Sequence, residues 1–241
     1  AASDVYKRQV ITPEGKRMLD IAQDVVRAVR SMDDYAEEAD AYSGVVRLAM
    51  PDAIADYIGM REVGEFIRKY PDLSFENNIT NEMPDIGALE ADICINYEPL
   101  SHPDAVTVAT KEIGCGLFAS PKYIEEHGTP RDMDDLLANH FIIAKSSHEK
   151  YAPGWSELLE KARHVIYRTN SVFSFRHALK AGIGVGISPV SYAAQQFVYL
   201  KHLDFDFKIN LCLMGHKDTK DMPRIRVVLD YLKNVLKNRP D

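Results

Sequence analysis

Residues 45–52 (VVRLAMPD) predict a short buried strand that runs directly into the start of a helix. The residues before Pro51 are apolar except for Arg47, and such a run favours a strand that is covered on both faces. Proline stops a strand and suits the first turn of a helix. The helix should end at Pro71, and a second strand is predicted at 73–76. Together these segments form a β-α-β unit.

Strand and helix signals continue to alternate along the rest of the chain. Further strands are predicted at 92–95, 106–109, 116–119, 141–144, 164–167 and 209–214. Helices are predicted at 171–181 and 222–238, with a short helical turn at 84–89. This alternation is typical of an α/β fold with a parallel sheet, and it predicts two α/β lobes joined near residue 120.

Composition narrows the classes of function. The chain has 241 residues and 27.2 kDa, with 29 Lys and Arg against 36 Asp and Glu, so its net charge is −7. An acidic chain is a poor candidate for binding nucleic acid by neutralising phosphates. No apolar run approaches the ~20 residues of a membrane span, so no membrane partner is expected.

The three cysteines, Cys94, Cys115 and Cys212, lie far apart and form no C-x-x-C pair. Each lies in an apolar run, where a free cysteine behaves as a small core residue. We therefore expect no disulfide, no metal site and no cofactor, and a reducing, cytoplasmic location.

The first 42 residues divide into two parts. Residues 1–11 match no periodic pattern and are interpreted as a non-native junction followed by the remnant of a wing. Thr12 is a good helix cap and Pro13 suits the first helical position, so 12–42 is predicted as a long linker helix. Its narrow apolar stripe favours a dimer seam, with packing onto its own domain as the alternative. The stripe consists of Leu19, Ala22, Val26, Val29 and Met32.

Several short motifs occur in a characteristic order. They are Thr12-Pro13-x-Gly15, Gly44-x-x-Arg47-Leu48, Phe66-x-x-x-Tyr70-Pro71-Asp72-Leu73, Asp92-Ile93-Cys94-Ile95, Ala119-Ser120-Pro121-x-Tyr123, His127-Gly128-x-Pro130 and Ala181-Gly182-x-Gly184-x-Gly186-x-Ser188-Pro189. In this order the chain resembles a LysR-type transcriptional regulator over roughly residues 10–238.

The resemblance implies a two-lobed periplasmic-binding-protein type II fold with two crossover strands, preceded by the linker helix. Lobe I would be 44–120 plus 215–241, and lobe II would be 121–214. Four residues would form the hinges: Ala119, Ser120, Met214 and Gly215. In the family a winged helix-turn-helix precedes the linker helix and binds DNA. This chain would instead bind a small-molecule effector and itself, as a dimer or tetramer, and would carry no catalytic residues.

Ligands of open α/β sheets bind beyond the carboxyl ends of the strands, where helix N-termini present free N–H groups. In lobe I the candidate ligand-binding residues are Asp52, Ala53, Ile54, Thr80, Asn96, Tyr97 and Glu98, with Asn81 beside Thr80. In lobe II they are Lys145, Ser146, Ser147, Asn170, Ser171 and Pro189.

Asp52 departs from the family, in which Ser or Thr often stands at this position and helps to hold an anionic effector. Its carboxylate would repel a ligand carboxylate, or it would simply cap its own helix. Glu98 also favours a neutral or amine-bearing effector, whereas Lys145 and His148 favour an anion. The charge of the effector therefore stays open.

Two other functions were weighed. A transporter-associated solute-binding protein shares this fold, but it has no use for a coiled-coil linker helix. An enzyme would need a convergent nucleophile, base or metal set, and the sequence displays none. The run Gly182-x-Gly184-x-Gly186 lacks the spacing of a dinucleotide-binding loop and precedes a strand instead of following one.

Overall fold

A computed structural model describes residues 12–18, 21–22, 24–25, 28, 42–82, 84–87 and 89–239. In chain order the elements are β1 (Gly44–Met50), α1 (Asp52–Ile58), α2 (Met60–Lys69), β2 (Leu73–Ile79), β3 (Ile93–Asn96), β4 (Ala105–Ala119), α3 (Pro121–His127), α4 (Met133–Asn139), β5 (Ile142–Lys145), α5 (Ser146–Tyr151), α6 (Trp155–Lys161), β6 (Val165–Thr169), α7 (Val172–Lys180), β7 (Gly186–Pro189), α8 (Val190–Ala193), β8 (Val198–Tyr199), a 3-10 turn (Lys201–Leu203), β9 (Phe207–His216) and α9 (Pro223–Asn238).

The main sheet has the strand order β2-β1-β3-β9-β4-β7, with β8 beside β4. β1 runs parallel to both β2 and β3, as the β-α-β pattern predicts. The later strands pair in antiparallel fashion, so the sheet is mixed and curled. β5 and β6 form a separate parallel pair. The predicted α/β class is confirmed, but the sheet is parallel only in part, because both long strands β4 and β9 run against their neighbours.

Two strands connect the halves of the molecule. β4 and β9 pair from Ala105↔His216 to Cys115↔Phe207. At one end β9 also pairs with β3, and at the other end β4 also pairs with β7. We therefore call β1–β3, α1, α2 and α9 lobe I, and α3–α8 with β5–β8 lobe II.

The crossing between the lobes lies inside the strands and not at their ends. Residues 111–114 of β4 pair with 208–211 of β9, between the two lobe sheets. The predicted hinge residues lie outside this crossing. Ala119 ends β4 within lobe II and Ser120 caps α3, whereas Met214 and Gly215 pair with β3 of lobe I.

Both lobes have apolar cores that the sequence pattern anticipates. The closing helix α9 buries its apolar face against β1, β4 and β9. Its buried apolar residues are Ile225, Val228, Leu229, Leu232 and Leu236. In lobe II, Trp155 is fully buried and packs on Phe205. The three cysteines are free and buried.

Three local predictions need correction. The single helix predicted after Pro51 is two helices, because Gly59 with φ of 82° breaks it. The helical turn predicted at 84–89 is a non-helical turn in its described part, with Leu89 at φ of 55°. The strands predicted at 106–109 and 116–119 are one 15-residue strand, β4.

The start of the linker helix is described in part. Thr12 caps it, since its Oγ1 accepts a hydrogen bond from the Gly15 N–H at 3.0 Å, and residues 13–18 are helical. In the predicted dimer stripe, Ala22 is helical and exposed. The other stripe positions, Leu19, Val26, Val29 and Met32, and residues 1–11 lie outside the described residues. None of the described helices is both long and apolar enough to cross a membrane.

Candidate functional site

A cleft separates the lobes where α1 of lobe I faces α5 and α7 of lobe II. Each of these helices begins at or just beyond the carboxyl end of a strand, namely β1, β5 and β6. The predicted strand ends are therefore brought to one place. The cleft is bridged by several side chains.

Asp52 makes the main bridge between the lobes. Its Oδ1 lies 3.2 Å from Nζ of Lys145, and its Oδ2 accepts the backbone N–H of Val172. Lys145 is only 1% exposed and also donates to Oγ of Ser147 at 2.7 Å. Burial lowers the pKa of the Lys145 ammonium, and the nearby Asp52 carboxylate opposes that shift. The pair therefore holds one buried positive charge against one carboxylate of the opposite lobe.

This geometry corrects the expected capping roles. Asp52 is the first residue of α1 and makes no cap on its own helix; Pro51 precedes that helix. Its carboxylate instead accepts from the first N–H of α7, in the other lobe. The side-chain cap of α7 is Ser171, because Ser171 Oγ accepts from the Ser174 N–H.

Two further contacts close the cleft. Nη1 of Arg176 on α7 lies 2.5 Å from Oδ1 of Asp56 on α1. The rings of Tyr97 and Tyr151 approach with their centroids 4.5 Å apart. Asp56 lies one helical turn after Asp52, so one face of α1 carries both carboxylates toward lobe II.

The cleft contains two cavities that share the walls Tyr97, Ser147 and Tyr151. The polar cavity has a free volume of about 170 Å³. Its lining consists of Pro51, Asn81, Asn96, Tyr97, Lys145, Ser146, Ser147, Lys150, Tyr151 and Asn170. The apolar cavity has a free volume of about 70 Å³. Its lining consists of Ala53, Ile54, Asp56, Tyr57, Tyr97, Ile113, Cys115, Ser147, His148, Tyr151, Ala152, Val172, Phe175, Arg176, Ile187, Ser188, Pro189, Phe207, Ile209 and Leu211.

His148 is a partly buried polar residue on the wall of the apolar cavity. Its Nδ1 is shielded from solvent and has no hydrogen-bond partner among the described residues. Its ring meets Phe175 edge to face, with centroids 5.1 Å apart. Burial, and to a smaller extent the Lys145 charge, lowers the pKa of His148 to about 3, so the imidazole is uncharged at neutral pH.

The structure brings most of the predicted site residues together. Six line the polar cavity: Asn96, Tyr97, Lys145, Ser146, Ser147 and Asn170. Ala53, Ile54 and Pro189 line the apolar cavity, as do Tyr97 and Ser147, which face both. Asp52 joins the lobes through Lys145, on the wall of the polar cavity, and Val172, on the wall of the apolar one.

Besides Asp52, three predicted residues line neither cavity. Thr80 turns its hydroxyl to the backbone of Glu82, Ser171 caps α7, and Glu98 is exposed to solvent. Each follows a strand, but the local turn directs the side chain elsewhere.

Sequence reasoning missed the cleft residues inside helices. Tyr151, Phe175 and Arg176 lie on α5 and α7, and their approach to the cleft depends on how those helices pack. Asp56 had an available signal, since its spacing of four from Asp52 places both on one helix face.

The mixed sheet, its two crossing strands and the cleft between two lobes define the periplasmic-binding-protein type II fold. The LysR substrate binding domain family matches residues 39–237. The chain therefore belongs to this family, as the order of its short motifs predicts.

Solved structures agree on the fold. The regulatory domain of CrgA, a LysR-type transcriptional regulator from Neisseria meningitidis, matches with a TM-score of 0.66 at 17% identity. The match covers 80% of this chain and 99% of that domain. Full-length AphB, the Vibrio cholerae virulence activator, matches with a TM-score of 0.64 at 19% identity over 95% of this chain and 80% of AphB.

Curated relatives carry regulator names. The uncharacterized HTH-type transcriptional regulator YhjC of Escherichia coli is 26% identical over 143 residues, which cover 59% of this chain and 48% of YhjC. The HTH-type transcriptional regulator DmlR of Escherichia coli is 24% identical over 172 residues, which cover 70% of this chain and 55% of DmlR. The chain thus matches about half the length of these relatives. The family match does not favour the alternative of a transporter-associated solute-binding protein.

Proposed function

We propose that this chain is the ligand-sensing part of a LysR-type transcriptional regulator and that it binds a small molecule between lobes I and II. The observation that supports this most directly is the bridged cleft, in which Asp52 of one lobe contacts Lys145 and Val172 of the other. A ligand that enters such a cleft contacts both lobes at once. It can therefore change their relative placement by its different affinity for the open and closed forms.

The crossing of β4 and β9 serves as the hinge in this proposal. In the described part of the chain only two strands pass between the lobes, so rotation about residues 111–114 and 208–211 disturbs few backbone hydrogen bonds. In the whole regulator, such rotation would move the linker helices and the DNA-binding heads that they carry. Dimerisation through 12–42, DNA binding through an N-terminal domain and a cytoplasmic location stay predictions.

The test is a screen of small molecules for a rise in melting temperature, since a ligand that binds the folded state stabilises it. Tyr97→Leu should weaken the binding of a hit by about tenfold, because Tyr97 lines both cavities and its ring packs against that of Tyr151. Leucine keeps the apolar volume of this 8%-exposed position.

Tyr42→Ala is the matched control. Tyr42 is 48% exposed and lies outside both cavities. Hits that bind both variants and the unmodified chain equally would place the ligand outside the cleft. A screen in which no compound raises the melting temperature would contradict the sensing role itself.

A further inference from the structure

Two groups that a ligand anion could use in this cleft, the Lys145 ammonium and the Val172 N–H, already contact a protein carboxylate. Lys145 Nζ contacts the Asp52 carboxylate at 3.2 Å and Ser147 Oγ at 2.7 Å. The first N–H of α7, at Val172, donates to the other oxygen of the same carboxylate. A ligand carboxylate would have to displace Asp52 or lie beside it, and two like charges at one site repel.

Lys150, the other cation that lines the polar cavity, does not offset the repulsion between Asp52 and a ligand anion. Lys150 is exposed and its ammonium lies 4.8 Å from the Tyr151 ring centroid. A solvated ammonium on a surface helix attracts an anion only weakly at physiological salt.

The apolar cavity likewise presents no unpaired charge among its described lining residues. Asp56 and Arg176 neutralise one another at 2.5 Å. His148 is uncharged at neutral pH, and its buried Nδ1 lacks a partner among the described residues. Apolar side chains such as Phe175, Ile113 and Ile187 form much of the remaining wall. A buried polar atom without a hydrogen bond is unfavourable, so a ligand that supplies one gains affinity there.

We propose that Asp52 acts as a built-in anion of the cleft, and that the ligand is an uncharged molecule with an aromatic or similarly apolar body. Its body lies in the apolar cavity, and one polar group hydrogen-bonds Nδ1 of His148. This inference rests on the proposed function and names the chemical class of its ligand.

The test uses three probes that share one aromatic ring and differ in charge: benzyl alcohol, benzylamine and benzoate. Each is titrated into the unmodified chain at pH 7, and binding is followed by calorimetry and by amide chemical shifts. Benzyl alcohol should bind about tenfold more tightly than either charged probe. Benzoate or benzylamine binding as tightly as the alcohol, or more tightly, would overturn the proposal.

Asp52→Ser tests the built-in anion. Removing the carboxylate frees Lys145 and the Val172 N–H, so benzoate affinity should rise about tenfold while benzyl alcohol changes by less than roughly twofold. Asp52→Asn keeps the side-chain shape and should act in the same direction. Melting curves of both variants identify any that fail to fold. An unchanged benzoate affinity in a folded variant would contradict the role of Asp52.

His148→Phe tests the polar contact and keeps an aromatic ring beside Phe175. It should lower the affinity for benzyl alcohol by about fivefold or more. The affinity for toluene, which lacks the hydroxyl, should stay unchanged within roughly twofold. His177→Phe, the same substitution at an exposed position of α7 that lines neither cavity, is the matched control and should change neither. Equal loss for toluene and the alcohol would remove His148 as the hydrogen-bond partner.

The outcomes separate this inference from the proposed function. A folded chain that binds none of the three probes, or that prefers an organic anion from the melting screen, refutes the ligand class and leaves the sensing role intact. Failure of the whole screen refutes the sensing role.

Discussion

His148, the residue proposed to hydrogen-bond the ligand, should also affect the acid stability of the protein. Its pKa is about 3 in the folded state against 6.5 in the unfolded chain, because burial disfavours the imidazolium. Between these values the unfolded state binds the extra proton, so the unfolding free energy rises with pH. The stabilisation from the uncharged ring is complete above pH 6.5 and is lost as the pH falls toward 3.

We therefore expect His148→Phe to flatten the acid limb of the stability curve. The unmodified chain should lose up to about 1.4 kcal/mol per pH unit from this group, measured by urea unfolding between pH 4 and 7. His177→Gln, at an exposed position on α7, is the control and should keep the slope. Parallel curves for His148→Phe and the unmodified chain would show that the ring titrates normally.

Sequence reasoning located the polar residues at the strand ends, but it did not identify the partners of Asp52. Asn96, Lys145 and Asn170 were found because strand ends follow from local patterns. The bond from Val172 to Asp52 joins residues 120 positions apart, and no local pattern encodes it.

Among the elements, the run from Gly182 to Gly186 illustrates a motif whose role is packing. Gly182 has φ of 79° and follows α7. A Cβ at Gly184 would lie 2.7 Å from the Phe141 carbonyl oxygen, and one at Gly186 would lie 2.6 Å from the Phe175 ring. These glycines allow the chain to pass close beside β5 and under α7, which agrees with the rejection of a dinucleotide-binding loop.

Gly184→Ala should lower the unfolding free energy by about 2–3 kcal/mol, because overpacking against backbone cannot relax cheaply. Hydrogen bonds from Val185 N–H to the Phe141 carbonyl and from Ile143 N–H to the Val185 carbonyl fix the two segments. Gly64→Ala on α2 is the matched control. Its nearest neighbour is Arg68 Nη1 at 3.7 Å, and it should stabilise by about 0.5–1 kcal/mol. Equal effects at both sites would contradict the packing role.

The elements also show why the crossing was misplaced. Short apolar windows in 105–119 look like two strands, whereas β4 runs straight through Gly114 and Gly116. The boundary between the lobes is visible only from the strands that pair with β4, namely β9 and β7. The position of the hinge depends on which strands pair with one another, and the residue composition of β4 does not encode that pairing.

At the scale of the whole molecule, the alternation of strand and helix signals predicted the α/β class, and the order of the short motifs predicted the family. Both signals recur in many segments of the chain, so neither depends on a single segment. These signals could not predict whether the cleft between the lobes is open or closed. The structure holds it closed by Asp52 with Lys145 and Val172, and by Asp56 with Arg176. Four of these five residues lie on the cavity walls, so the proposed ligand would meet the same groups that hold the lobes together.

Removing both carboxylates should therefore open the ligand-free protein. Spin labels at Asn78→Cys on β2 and Ile166→Cys on β6 report the distance between the lobes; the natural cysteines are buried. Unlabelled chain in excess suppresses signals between copies. Asp52→Ser with Asp56→Ser should shift the distances by several Å toward longer values and broaden them, because few contacts besides the two crossing strands then hold the lobes.

Glu125→Ser with Glu126→Ser, exposed or half-exposed on α3, removes the same charge away from the cleft and should change nothing. Identical distance distributions for the two double variants would mean that the carboxylates do not hold the cleft closed.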